Sequence, residues 1–283
     1  KPPLEAEIIA RAPHLRAIIE VGGAFPPTID YPACFARGIR VLSCAPAFAA
    51  QVAEMSLGMT LAACRGMVAA HEDFRKGTEV WQGDRPTDFT LFDQRVGFIG
   101  FGSLARHLLP LIRPFRCRIQ AYDPWLPDSL IEAAGCEPVG LDRVLSENRV
   151  VFVLAVPAPE NRGLLSRERI AMLQKGALVV LVSRSHLVDF DALTDALFDG
   201  RIQAAIDVFP EEPLPASARI RSAPNVVLSA HRAASIRRER QMIGRMVVDD
   251  LDLMHRGLPP ARLQVAEPEL IERRLRREEQ TAA

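Results

Sequence analysis

The stretch Val96-Gly97-Phe98-Ile99-Gly100-Phe101-Gly102-Ser103-Leu104-Ala105 is an apolar run that enters a Gly-x-Gly-x-x-Ala turn and then a helical pattern. Gly100 permits the tight turn, Gly102 lets a pyrophosphate approach the backbone, and Ala105 is small enough to pack where a third glycine is common. A helix starting at Ser103 and Leu104 offers unpaired N–H groups to an anion. Asp123 stands 23 residues after Gly100, at the end of the next apolar run, Ile119 to Tyr122. A carboxylate there accepts both ribose hydroxyls of NAD and repels the 2′-phosphate of NADP. Its neighbours Pro124 and Trp125 carry no charge. The expectation is a dinucleotide site that takes NAD in preference to NADP.

Three more polar residues stand where apolar runs end, the edge at which open α/β sheets meet their ligands. Arg184 follows Leu178 to Ser183, Glu212 lies in Asp207-Val208-Phe209-Pro210-Glu211-Glu212-Pro213, and His231 follows Val226 to Ala230. Taken singly they read as a solvated loop charge, an acidic turn and a structural histidine. At consecutive strand ends they form a set. A planar guanidinium beside a nicotinamide suits a carboxylate or a 2-keto acid, which it grips by two parallel hydrogen bonds.

These residues need a scaffold that brings strand ends together. Apolar runs at residues 96–100, 118–122, 150–156, 177–182, 204–208 and 226–229 alternate with helical patterns at 104–113, 128–134, 141–146, 166–171 and 189–199. That alternation predicts a doubly wound parallel sheet buried on both faces. Outside it, residues 17–21 and 40–43 read as short strands and 49–71 as one long helix. Residues 236–255 read as a second long helix, stopped by Gly257 with Pro259 and Pro260 beyond. The Glu- and Arg-rich tail from Pro268 reads as a frayed, solvated helix or coil. With 283 residues, the chain suits two domains at about 150 residues each. The boundaries expected are 1–70 for the first part of a smaller domain, 71–231 for the dinucleotide domain and 232–283 for a return helix and tail.

Thirty-five basic residues balance 35 acidic ones. No basic field exists to gather nucleic acid or an anionic membrane surface. Gln51 and Glu54 interrupt the apolar region from Cys44 to Cys64, so no membrane-spanning run is expected. The N-terminal segment lacks the apolar core of a secretory signal. Cys34, Cys44, Cys64, Cys117 and Cys136 are odd in number with no C-x-x-C pair, which reads as buried reduced thiols in a cytoplasmic protein without a metal site.

An ordered set of motifs resembles the D-isomer-specific 2-hydroxyacid dehydrogenase family across nearly the whole chain. It comprises Gly22-Gly23 with Ile29-Asp30, the glycine loop with Tyr122-Asp123-Pro124, Val156-Pro157 with Arg162-Gly163-Leu164, and Ser183-Arg184 with Val188-Asp189. Ala204 to Phe209 with Glu212-Pro213, and Ser229-Ala230-His231, complete it. The resemblance implies a Rossmann NAD-binding domain inserted in a smaller, flavodoxin-like substrate domain, here shortened at its N-terminus. It implies Arg184 as the substrate-binding catalytic arginine, Glu212 as the acid that supports the histidine, and His231 as the proton donor and acceptor. It further implies Gly100, Gly102, Ser103, Leu104, Asp123, Val156, Pro157, Ser183 and Asp207 as cofactor contacts, with Asp207 at the nicotinamide carboxamide. Backbone N–H groups near Gly22 and Gly23 would hold the substrate carboxylate.

The implied activity is hydride transfer between NAD(H) and a small D-2-hydroxy or 2-keto acid. The alternative within the resemblance is an NAD(H)-sensing interaction protein of the corepressor type. A homodimer is also implied, with Met55, Leu57, Met59 and Leu61 of the long helix and an arm carrying Phe74, Val80, Trp81 and Phe89 as the contact. Three departures stand out: Ser185 in place of a glycine after Arg184, the stretch Phe25-Pro26-Pro27-Thr28 in place of a more polar pair, and a loop at 157–160 that is one residue short.

Overall fold

The computed structural model describes residues 2–23, 25–83, 85–156, 158–237 and 240–275. Among them, the strands in chain order are β1 (Ala17–Glu20), β2 (Arg40–Ser43), β3 (Arg95–Ile99), β4 (Arg118–Tyr122), β5 (Glu137–Pro138), β6 (Val150–Val153), β7 (Leu178–Leu181), β8 (Gln203–Ile206), β9 (Val226–Leu228) and β10 (Gln264–Val265). The chain divides into two compact units, residues 51–235 and residues 1–50 with 236–283. The division runs at 50/51 and 235/236, against the expected 70/71 and 231/232. The helix Ala45–Cys64 accounts for the first difference: Ala47 packs with Leu42 and Met246, whereas Ala53, Met59 and Cys64 pack with Phe98 and Leu108.

The larger unit is a seven-stranded sheet in the order β5-β4-β3-β6-β7-β8-β9, with every pairing parallel. Alternate residues feed two cores, one on each face. Ile99, Val151, Val153, Val179 and Leu181 enter one, and Val96, Phe98, Val150, Phe152, Leu178 and Val180 the other. A strand buried on both faces must be apolar throughout, which is why these runs stood out in the sequence. The order reverses between β3 and β6, and this switch point opens a crevice at the carboxyl ends of the strands. Two helices that border the sheet start on caps: Ser166 accepts the Arg169 N–H and Asp189 the Ala192 N–H.

The smaller unit pairs β1 parallel and β10 antiparallel with β2. Asp30 caps the helix Tyr31–Ala36, whose Tyr31 and Cys34 join Ile9, Ile29, Val41 and Ile271 in its core. Asp250 is fully buried, and its carboxylate accepts the N–H groups of Ala261, Arg262 and Leu263, which ties the helix Arg240–His255 to the segment that leads into β10. The tail expected to fray forms the helix Pro268–Leu275, held by Ile271 in that core; residues 276–283 lie outside the described ones.

Two further expectations need correction. The helix read as continuous over 49–71 ends at Cys64, and a second helix, Met67–Lys76, starts after Gly66, whose φ of +56° no right-handed helix accepts. The first helix has 20 residues and an 18-residue window of mean hydropathy 1.3, so by length and composition it could cross a membrane, contrary to the reading of Gln51 and Glu54 as interruptions. Half of that window is buried within the protein, as in a core helix. The same packing revises the expected dimer contact. Met59 is buried, and Met55, Leu57 and Leu61 lie against the core of the larger unit. Of the expected arm, Phe74, Val80 and Trp81 are exposed, as is Met67 before them, whereas Phe89 is half-buried against the same core. Four of the five cysteines are buried, Cys117 is half-buried, and burial pushes the thiols of Cys64 and Cys136 up to about 11.

Candidate active site

The glycine turn sits at the switch point. Gly100 has φ +95°, donates to the Tyr122 carbonyl, and lies so close to the chain after β6 that an added Cβ would meet the Ala155 backbone at 2.6 Å. Gly102 is different in kind: nothing lies within 4 Å of the place its Cβ would occupy. It stands at the N-cap of the helix Ser103–Ile112 and brings no side chain to satisfy the first N–H groups. That combination of open space and unpaired donors at a helix start fits a pyrophosphate. Ala105 is fully buried where the helix meets the sheet.

Asp123 follows β4 directly. Its Oδ2 accepts the Phe101 N–H at 2.8 Å and its Oδ1 the Trp125 N–H at 3.0 Å. A carboxylate has about four acceptor positions, so capacity remains for ribose hydroxyls. Val156 is exposed beyond β6, whereas Pro157 lies outside the described residues. Ser183 is buried after β7, and its hydroxyl has no hydrogen-bond partner among the described residues. These features fit a dinucleotide whose adenosine end meets Asp123 and whose phosphates meet the glycine turn.

Glu212 and His231 come into direct contact, with His231 Nδ1 2.5 Å from Glu212 Oε2. The other oxygen of Glu212 accepts the Phe209 N–H at 2.9 Å. Partial burial works against the Glu212 carboxylate. Hydrogen bonds from His231 and the Phe209 N–H, with the charges of His231 and Arg184, outweigh it and hold its pKa below the usual carboxylate range. Arg184 is therefore close enough to act on the Glu212 carboxylate electrostatically. Its guanidinium donates to the Ser183 carbonyl at 2.7 Å. With Nδ1 engaged, Nε2 is the nitrogen left for exchange, on a side chain 46% exposed.

His231 itself has φ +50°, a conformation an L side chain rarely adopts. Asp207 secures it. This residue is fully buried at the end of β8, its carbonyl accepts the His231 N–H at 2.8 Å, and its carboxylate accepts the N–H groups of Arg232 and Ala233. The family resemblance implies Asp207 as a carboxamide contact; the bonds it makes within the chain fix the backbone that carries His231.

Two titratable residues, one in each unit, escaped the sequence reading. His186, half-buried two residues after Arg184, has its pKa lowered by burial and then by Arg162 and Arg184. The backbone explains the proximity: the Gly163 N–H donates to the His186 carbonyl at 2.8 Å. In the smaller unit, the Gly22 N–H is taken by Glu20 Oε1 at 2.7 Å, while Gly23 is exposed. Neither contact follows from a spacing rule.

Residues 57–233 match the family model for the D-isomer specific 2-hydroxyacid dehydrogenase, NAD binding domain. The chain is 31% identical over 253 residues to a D-3-phosphoglycerate dehydrogenase of Methanocaldococcus jannaschii, covering 89% of this chain and 48% of that one. It is 28% identical over 262 residues to a glyoxylate reductase of Korarchaeum cryptofilum, covering 91% and 79%. Among solved structures, a phosphoglycerate oxidoreductase from Rhizobium etli superposes with a TM-score of 0.83 at 41% identity, covering 94% of this chain and 82% of that one. The chain thus spans about half the length of the D-3-phosphoglycerate dehydrogenases it matches. These relatives carry dehydrogenase, reductase and oxidoreductase names, and they give no support to the interaction-protein alternative.

Proposed function

Since the chain belongs to the D-isomer-specific 2-hydroxyacid dehydrogenase family, with its NAD-binding domain over residues 57–233, we propose that it transfers a hydride between NAD(H) and a small D-2-hydroxy or 2-keto acid. The observation that carries this reading is the Glu212–His231 contact at 2.5 Å, beside Arg184 and at the edge where β7, β8 and β9 end. When bound, the dinucleotide supplies the hydride chemistry at C2 of the keto acid. His231 donates a proton from Nε2 to the carbonyl oxygen, and Glu212 stabilises the protonated imidazole. Arg184 orients the substrate and polarises its carbonyl. Because its pKa is lowered, Glu212 stays ionised at neutral pH; its support is present above the usual carboxylate range and is lost only as pH falls through that lowered value.

NADH oxidation in the presence of glyoxylate, hydroxypyruvate, pyruvate and longer 2-keto acids tests the reading. Reduction of at least one is expected, and reduction of none by a protein that binds NADH would refute it. Asp123 sets the cofactor preference. Asp123→Ser should cut the preference for NADH over NADPH by at least an order of magnitude, about 1.4 kcal/mol. Equal use of both cofactors by the unaltered protein would contradict this role.

We assign the protein to the cytoplasm, in keeping with cysteines that form no disulfide among the described residues. A homodimer is expected at micromolar concentration. Trp81 is 78% exposed, stacks edge-on with the exposed Phe74 at 6.3 Å, and adjoins the exposed Val80. Aromatic groups of this kind anchor interfaces, and a two-fold pair is the commonest closed symmetry. Sedimentation should give twice 31.2 kDa, with Trp81→Ala weakening association. A monomer at that concentration would refute the assignment.

A further inference from the structure

Resting on the proposed use of NAD(H), we propose that Asn161 is a positioning residue for the nicotinamide half of the cofactor: its side-chain amide ties the carbonyl of Val156 to the N–H of Ala158 and so holds the end of β6 over which that half lies. Asn161 Nδ2 donates to the Val156 carbonyl at 2.7 Å, and Asn161 Oδ1 accepts the Ala158 N–H at 2.9 Å. The residue is only 9% exposed.

The order of the sheet gives this place its meaning. Asp123 follows β4 and Arg184 follows β7, with β3 and β6 between them. A dinucleotide that reaches from one to the other crosses the glycine turn first and the end of β6 second. Val156 stands at that second crossing, 44% exposed, and is among the cofactor contacts the family resemblance implies.

A side chain does this work because the backbone has few donors here. Up to Ala155 the chain is fixed from β3: the Leu154 N–H donates to the Ile99 carbonyl at 2.8 Å, and Ala155 lies against Gly100. From Gly163 it is fixed again, as the N–H groups of Gly163 and Leu165 donate to the carbonyls of His186 and Leu187 at 2.8 and 2.9 Å. Between these anchors Pro157 and Pro159 have no N–H to give. Asn161 ends the short 3-10 helix Pro159–Asn161, where its own N–H donates to the Ala158 carbonyl at 3.1 Å and its side chain turns back to close the gap. The amide carries an acceptor on one arm and a donor on the other. Aspartate has the same shape but two acceptors, one of which would face the Val156 carbonyl.

The probes are NADH and ADP, the second of which spans only the adenosine and phosphate part of the site. Each is titrated calorimetrically into the unaltered protein, Asn161→Asp and Asn161→Ala. NADH affinity should fall at least ~10-fold in both variants, with ADP affinity changed less than about twofold. General damage to the fold would move both. Hydrogen exchange in the unaltered protein keeps the test available if the variants fold poorly: the Ala158 amide should gain protection with NADH and none with ADP. NADH and ADP affinities that fall together, an unchanged NADH affinity, or an Ala158 amide that NADH leaves as it was would overturn the role of Asn161. None of those outcomes touches keto acid reduction by the unaltered protein, so the two readings fail separately.

Discussion

His231→Ala will lower keto acid turnover by roughly two to four orders of magnitude while leaving NADH affinity nearly intact. The expectation follows from placement. His231 Nδ1 is committed to Glu212, and the ring stands on a left-handed backbone that Asp207 holds through three hydrogen bonds, to the N–H groups of His231, Arg232 and Ala233. Alanine removes the proton donor and leaves the glycine turn and Asp123 untouched. Glu212→Gln should produce a smaller loss, because a neutral amide can still orient Nδ1 but no longer stabilises the charged imidazole. Steady-state rates with saturating keto acid, together with NADH titration by fluorescence, separate the two effects. Undiminished reduction by His231→Ala would remove His231 from the mechanism. A collapse of NADH binding in that variant would mean that the substitution had damaged the fold.

The second large effect separates two glycines of one motif. Gly100→Ala places a methyl group 2.6 Å from the Ala155 backbone on a residue with φ +95°. Left-handed strain and overpacking together should cost about 2–5 kcal/mol, lowering Tm by at least about 4 °C. Gly102→Ala meets no protein atom within 4 Å and has an ordinary backbone, with φ −80°. Its Tm should be unchanged. Its added methyl instead occupies the approach of the pyrophosphate, so NADH affinity should fall at least ~10-fold. Thermal unfolding and NADH titration of both variants give a crossed result that generic damage cannot imitate. Equal NADH affinity for Gly102→Ala and the parent protein would place the phosphates elsewhere.

The parts of this molecule legible in the sequence are those where local spacing carries the chemistry. Strands β3, β4, β6, β7, β8 and β9 announced themselves because burial on both faces forces continuous apolar runs. Gly100, Gly102 and Asp123 could be read because a turn and a strand end fix their separation. Strands β5 and β10 were missed: each has two residues, too short for any periodicity. The break at Gly66 was hidden because small residues on both sides continue the helical pattern.

The backbone-holding roles of Asp207 and Asp250 were beyond reach for another reason. Their carboxylates serve backbone N–H groups 25 and 26 residues away in the first case and 11 to 13 in the second, and a backbone donor leaves no trace in side-chain identity. The Glu20–Gly22 contact spans two residues, yet it too was silent, since a glutamate before Val21-Gly22 has many conformations and only the end of β1 selects this one.

Isotope transfer tests the central claim most directly. NADH carrying deuterium at both C4 positions, incubated with the protein and the 2-keto acid most active in the panel, should yield the D-2-hydroxy acid with one deuterium at C2 for each NADH consumed. Mass spectrometry and chiral chromatography of the product measure both. A product without deuterium at C2, or NADH that binds and is never consumed with any 2-keto acid, would contradict the assignment of this chain as a 2-hydroxyacid dehydrogenase.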